Sequence, residues 1–168
     1  MHQAGFNSIS VGLGELQVSC DPKTVLVAHG LGSCVGVCGY DPVVKVAGLL
    51  HAMLPEMDGR GRGRPTRYVD TGIIEMLGKL HTLGALRHRC LFRIVGGAQM
   101  LNAPGLNSTL NIGARNAEAA RVVIQREGLK LAGADTGGSW GRTVKLYVVS
   151  GSLTVRSVGR GERELPIS

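Results

Sequence analysis

The segment Val35-Gly36-Val37-Cys38-Gly39-Tyr40-Asp41-Pro42-Val43-Val44-Lys45-Val46-Ala47-Gly48-Leu49-Leu50-His51 decides how this chain folds. Two strand-like runs, residues 35–40 and 46–54, are divided by Asp41-Pro42, a turn signal. They predict a β-hairpin. Upstream, Leu16, Val18 and Cys20 alternate with Glu15, Gln17 and Ser19, a half-buried strand stopped by Asp21-Pro22. Thr24 to Ala28 is a short apolar strand ending in the glycine-loosened turn His29-Gly30-Leu31-Gly32-Ser33.

Downstream, Asp70 is placed to cap a helix running to about Leu83, with Ile73, Ile74, Leu77 and Leu80 as its apolar stripe. Cys90 to Val95 reads as a strand closed by Gly96-Gly97. Asn111 caps a second helix through Glu127, burying Ala119, Val122 and Val123 and ending at Gly128. Leu129 to Ala134, Thr143 to Val149 and Leu153 to Val158 follow as strands. Two or three helices against many short strands predict an α+β fold, an α/β sandwich of mostly antiparallel sheets with packed helices, rather than a doubly wound parallel sheet. With no internal repeat and no linker, residues 1–168 read as one domain.

Composition narrows the function classes. Glycine supplies 26 of 168 residues, about twice the usual share, without the period of a fibre. Two Phe, three Tyr and one Trp are too few for a base-stacking surface or an aromatic cage. The net charge of +7 favours an anionic partner. Part of it is concentrated in Gly59-Arg60-Gly61-Arg62-Gly63-Arg64-Pro65-Thr66-Arg67, which is either a solvated loop or a docking loop for an acidic surface. RNA binding is disfavoured by the lack of interleaved aromatics. No basic start followed by an apolar run marks a signal peptide, and no apolar run is long enough for a membrane span, so a reducing cytoplasm is expected. Cys34 and Cys38 lack a second pair to complete a zinc site; no metal or organic cofactor is expected.

The hairpin carries the chemistry. If Asp41-Pro42-Val43-Val44 is a four-residue turn, cross-strand pairing sets Cys34 directly opposite His51, with both side chains on one face. A thiol with a pKa of about 8.5 is mostly protonated at neutral pH, and a neighbouring imidazole can take that proton. Gly30 and Gly32 leave backbone uncovered, so N–H groups there could face a developing oxyanion. On this register Gly36 opposes Leu49 and leaves a hollow beside Cys34. The bland alternative is that Cys34 and Cys38 are small core residues and His51 a satisfied half-buried histidine.

Other signals are weaker. Gly30-Leu31-Gly32-Ser33-Cys34-Val35-Gly36 lacks the following helix of a dinucleotide fingerprint. Ser33 has no acid–base partner of comparable quality. His29 lines the cleft or is an exposed loop residue, while His81 and His88 read as solvated residues near a helix end. Asp135-Thr136-Gly137-Gly138-Ser139 is a pocket rim or a tight turn. Gln99, Asn107, Ser108 and Asn111 form a polar approach to a helix N-terminus, as substrate contacts or as caps.

Leu31-Gly32-Ser33-Cys34-Val35, Tyr40-Asp41-Pro42 and His51-Ala52-Met53-Leu54-Pro55 resemble blocks of the chemoreceptor glutamine deamidase family, CheD. So do Tyr68-Val69-Asp70-Thr71, Gly96-Gly97-Ala98, Asn111-Ile112-Gly113-Ala114-Arg115-Asn116 and Asp135-Thr136-Gly137-Gly138, in the family's order over roughly residues 8 to 160. The resemblance implies a fold related to the bacterial toxin deamidases and a cytoplasmic chemotaxis enzyme. It places the nucleophile on Cys34 and the catalytic histidine on His51, with Gly32 and Ser33 in the oxyanion or substrate pocket. Members hydrolyse receptor glutamine amides to glutamate, and some cleave glutamyl methyl esters. The implied partners are methyl-accepting chemotaxis receptors and the phosphatase CheC, with no nucleic acid and contact with the membrane only through receptors. Arg60, Arg62, Arg64 and Arg67 would dock a receptor helix. One position departs: the family's threonine falls on Ala28, so the imidazole's orienter would be the Ala28 backbone carbonyl, or the chain is weakly active. The alternative is a non-catalytic adaptor binding receptors or CheC.

Overall fold

A computed structural model describes residues 5–59, 63–100 and 111–168 of the chain. These run as β1 (Asn7–Ser10), β2 (Leu16–Ser19), β3 (Thr24–Leu31), β4 (Val35–Asp41), β5 (Val46–Ala52), α1 (Val69–Thr82), β6 (Leu91–Gly96), α2 (Ile112–Arg126), β7 (Lys130–Thr136), β8 (Arg142–Tyr147), β9 (Leu153–Ser157) and β10 (Gly161–Glu164). Short 3₁₀ turns lie at Pro65–Arg67 and Arg87–Arg89.

The strands form two five-stranded sheets, ordered β1-β3-β8-β9-β10 and β2-β5-β4-β6-β7. Pairing is mostly antiparallel, with parallel pairs at β1–β3 and β6–β7. Every residue of β4 and β5 is buried, because the second sheet is covered on both faces. One face packs on the first sheet through Cys38, Tyr40, Leu49 and Val95 against Leu26, Leu31, Val144, Leu146 and Val155. The other carries α1 and α2, with Val37, Leu50, Phe92 and Ile94 against Ile73, Met76, Leu80, Ala120 and Val123. β8 instead alternates buried and half-buried residues, the pattern of a sheet packed on one side. The layers are therefore sheet, sheet, helices, an α+β sandwich as the pattern predicts. Among the described residues no helix is long and apolar enough to cross a membrane.

The central hairpin forms, but in another register. Asp41 pairs with Val46, Gly36 with His51, Cys38 with Leu49 and Val35 with Ala52. Pro42–Lys45 form the loop, so the pairing is displaced by two residues from the one expected. The turn closes with the Lys45 N–H donating to the Asp41 carbonyl at 2.8 Å, an α-turn, with Lys45 in the left-handed region at φ 56°. Asp41 stays in the ladder because its carboxylate is fully buried and held both by the turn and from outside the hairpin. It accepts from the Val43 and Leu86 N–H groups, each at 2.9 Å, and from the Arg89 guanidinium. A displacement by two preserves the face of every side chain.

Three other expectations change. β3 does not end at Ala28 but runs on to Leu31 through a bulge, with Gly30 at φ +61°. Tyr68, not Asp70, occupies the N-cap position of α1, without a capping side-chain bond; the Asp70 carboxylate accepts from the Met57 and Thr71 N–H groups. The buried stripe of α1 is Val69, Gly72, Ile73, Met76 and Leu80, which leaves Ile74 exposed, and Val122 is likewise exposed on α2. Asn111 does cap α2, accepting from the Ala114 N–H at 3.0 Å.

Candidate active site

Cys34 stands one residue before β4, half-buried, at the edge of the core between the sheets. Its segment is held by three successive carbonyls. That of Gly32 accepts from the Ala98 N–H and that of Cys34 from the Gly97 N–H, each at 2.9 Å. The Ser33 carbonyl accepts from the Asn116 amide, also at 2.9 Å. Gly96 makes the closest approach: at φ +108°, a Cβ there would lie 2.5 Å from the Cys34 oxygen. Among the described residues no carbonyl accepts from the N–H of Ser33 or Cys34. The carbonyls are tethered while these two N–H groups meet no carbonyl, a suitable arrangement for receiving negative charge.

His51 lies in β5 opposite Gly36, 2% exposed. It shares a face with Leu49, which packs between the sheets, and so faces the same layer as Cys34. The two are diagonal neighbours in the extended register, not directly opposed. Nδ1 of His51 is 3.0 Å from the Val11 carbonyl. A carbonyl only accepts, so Nδ1 carries the proton and Nε2 of the neutral ring presents its lone pair. Nε2 is buried with no hydrogen-bond partner among the described residues. Burial holds the His51 pKa below its usual value, against the opposing Val11 bond and Glu15 charge. Burial likewise raises the Cys34 thiol, opposed by its own backbone N–H. The resting pair is therefore neutral thiol and neutral imidazole.

The comparisons with known proteins agree on one family. A family model described as CheD chemotactic sensory transduction matches residues 53–157. The chain is 47% identical to a probable chemoreceptor glutamine deamidase CheD of Symbiobacterium thermophilum, over 93% of this chain and 96% of that one. It is 42% identical to the chemoreceptor glutamine deamidase CheD of Thermotoga maritima, over 91% of this chain and 94% of the other. This chain belongs to the CheD family. The similarity to the CheD of Desulfitobacterium hafniense DCB-2, named a probable chemoreceptor glutamine deamidase, is 41% identity over 94% and 98% of the two chains.

Within this CheD-family fold, Ala28 is fully buried in the core between the sheets and pairs with Val144. The acceptor on the histidine ring is the Val11 carbonyl, not that of Ala28. Parallel pairing of β1 with β3 brings it there: the Val11 N–H donates to the Val27 carbonyl at 2.7 Å. Sequence reasoning had no signal for Val11, because every residue carries a carbonyl. The hollow expected at Gly36 is filled; a Cβ there would meet Leu31 at 3.1 Å, Leu49 at 3.6 Å and Val144 at 3.8 Å. Above Gly32 sits Met100, 3.0 Å from where a Cβ would be. The Gly30 N–H is taken by the Thr143 hydroxyl at 3.3 Å.

Thr136, Gly137 and Gly138 join Gly97, Gln99, Asn111 and Arg121 around a 290 Å³ pocket whose lining includes neither Cys34 nor His51. Asn111 donates to Gln99 at 3.1 Å, while Asn107 and Ser108 lie outside the described residues. His29, His81 and His88 are exposed. Arg60 and Arg62 also lie outside the described residues; Arg64 and Arg67 are exposed. The Arg67 carbonyl accepts from Met53 and Leu54, directly after the histidine strand. Asn116 attracted no role from sequence, although an amide on the buried, alanine-rich face of α2 was a legible anomaly.

Proposed function

We propose that this CheD-family chain is a cytoplasmic enzyme that hydrolyses glutamine side-chain amides of chemoreceptors to glutamate. The observation that carries the reading is His51, on the strand face that also carries Leu49, with Nδ1 locked on a backbone carbonyl and a buried Nε2 that has no hydrogen-bond partner among the described residues. The names of the curated relatives supply the substrate class. As the Cys34 sulfur attacks the glutamine Cδ, His51 Nε2 takes the thiol proton and the Ser33 and Cys34 N–H groups receive the oxyanion. The imidazolium then protonates the leaving amide nitrogen, which departs as ammonia and leaves a glutamyl thioester. Water attacks that thioester with Nε2 as base, and the imidazolium returns its proton to sulfur, releasing glutamate.

Because both groups rest neutral, proton transfer accompanies attack rather than preceding it. Ala28 removes a hydroxyl but not the orientation of the ring, which Val11 supplies. Receptor glutamyl methyl esters fit the same steps with methanol as leaving group, and CheC would dock over the same face. Kinship with the bacterial toxin deamidases belongs to this reading too. Intact mass of a receptor cytoplasmic fragment incubated with the protein tests it, since each conversion replaces –NH2 by –OH. Wild type should convert specific glutamines and Cys34→Ser none. Unchanged receptor mass with the wild type would leave the adaptor reading in its place.

A further inference from the structure

Asn116 is fully buried on α2. Its Nδ2 donates to two carbonyls, that of Ser33 at 2.9 Å and that of Met53 at 3.0 Å. Two acceptors on one nitrogen fix the amide's orientation, since the flipped amide would set oxygen against oxygen. Its Oδ1 has no partner among the described residues. An unpaired buried acceptor is costly, and the other buried residues of this helix, Gly113, Ala117, Ala119, Ala120, Val123 and Ile124, are all apolar. Packing alone would favour alanine here too.

We propose that Asn116 is a positioning residue, holding the Ser33–Cys34 peptide with its N–H turned toward the reacting thiol and tying it to the strand that carries His51. In a trans peptide the C=O and N–H point in opposite directions, so capture of the Ser33 oxygen by α2 turns the Cys34 N–H away from the helix. The same bond polarises that peptide and strengthens its donor end. The Cys34 backbone N–H in turn opposes the rise that burial gives the thiol pKa. Met53 follows His51 by two residues, so one amide connects the segments of nucleophile and base. An NH2 group can serve two carbonyls without bringing charge into the core; a carboxylate would repel both, and a hydroxyl serves only one.

The inference rests on Cys34 as the nucleophile, and its decisive measurement needs no receptor. In a Cys20→Ser background, which removes the exposed thiol and leaves the half-buried Cys34, the pH profile of Cys34 alkylation is compared for wild type, Asn116→Ala and Asn116→Ser. The alanine variant should move the profile to higher pH, and serine, with its single donor, should move it less. On receptor fragments kcat should fall about 100-fold for alanine, with KM changed less than about twofold. A folded Asn116→Ser protein with the wild-type alkylation profile overturns the inference, even if its melting temperature drops. A moved profile in a protein whose wild type deamidates nothing would uphold the positioning role while removing the proposed function.

Discussion

At the residue scale, the proposed chemistry depends on two groups whose neutral forms are favoured by burial, Cys34 with its pKa raised and His51 with its pKa lowered. A His51 pKa below the usual 6.5 keeps Nε2 available as a base at neutral pH, so the acid limb of kcat/KM should fall below pH 6.5 rather than at it. Stability carries the same sign. Below 6.5 the unfolded chain binds a proton that the folded ring refuses, so the contribution from neutral His51 is full above 6.5 and is lost as pH falls toward the lowered value. His51→Gln should flatten the pH dependence of urea melts across that window and abolish turnover. For Cys34, with a pKa above 9.0, alkylation in the free protein should still be rising beyond that pH. Cys38 and Cys90 are pushed by burial to about 12 and about 11 and should stay unreactive in the folded protein.

At the element scale, the β4–β5 hairpin sets the site, and Asp41 sets the hairpin. Burial alone would raise its carboxyl, but the Leu86 N–H, Arg89 and the Val43 N–H outweigh that and hold it below 3.8. Its contribution is present above that value and is lost as pH falls through the lowered pKa. Asp41→Ala removes charge-assisted bonds to a buried carboxylate and should cost about 2–3 kcal/mol of unfolding free energy, read by denaturant titration. It should also loosen the turn, which amide exchange at Val43 and Lys45 would report. The turn residues were legible because Asp and Pro have local preferences, but the loop length was not. It depends on Leu86 and Arg89, 45 and 48 positions away.

At the scale of the whole molecule, part of the excess of seven positive charges lies in the sequence segment 59–67. The basic segment 59–67 ends in a turn whose backbone is bonded to Met53 and Leu54, next to the histidine strand. On the proposed function it meets the acidic surface of a receptor helix. Replacing Arg60, Arg62, Arg64 and Arg67 by alanine should raise KM and weaken its dependence on salt, with kcat little changed. Steady-state rates across a salt series check this; a loss confined to kcat would place the arginines in another role.

The sequence by itself determined the class of fold and the kinds of chemical group available. Strand and helix periodicity are side-chain properties written locally, so the apolar runs, the Asn111 cap and the pairing of β4 with β5 could be read directly. Cys34 and His51 could be singled out as candidates because the hairpin places this one thiol and this one imidazole on the same face. Only tertiary structure decided the two-residue register, the filling of the space at Gly36, the Val11 carbonyl on the histidine ring and the Asn116 bridge. Those features are backbone groups or distant partners. A carbonyl is identical in every residue, and only the packing of one sheet and one helix against another selects which oxygen meets a ring or an amide.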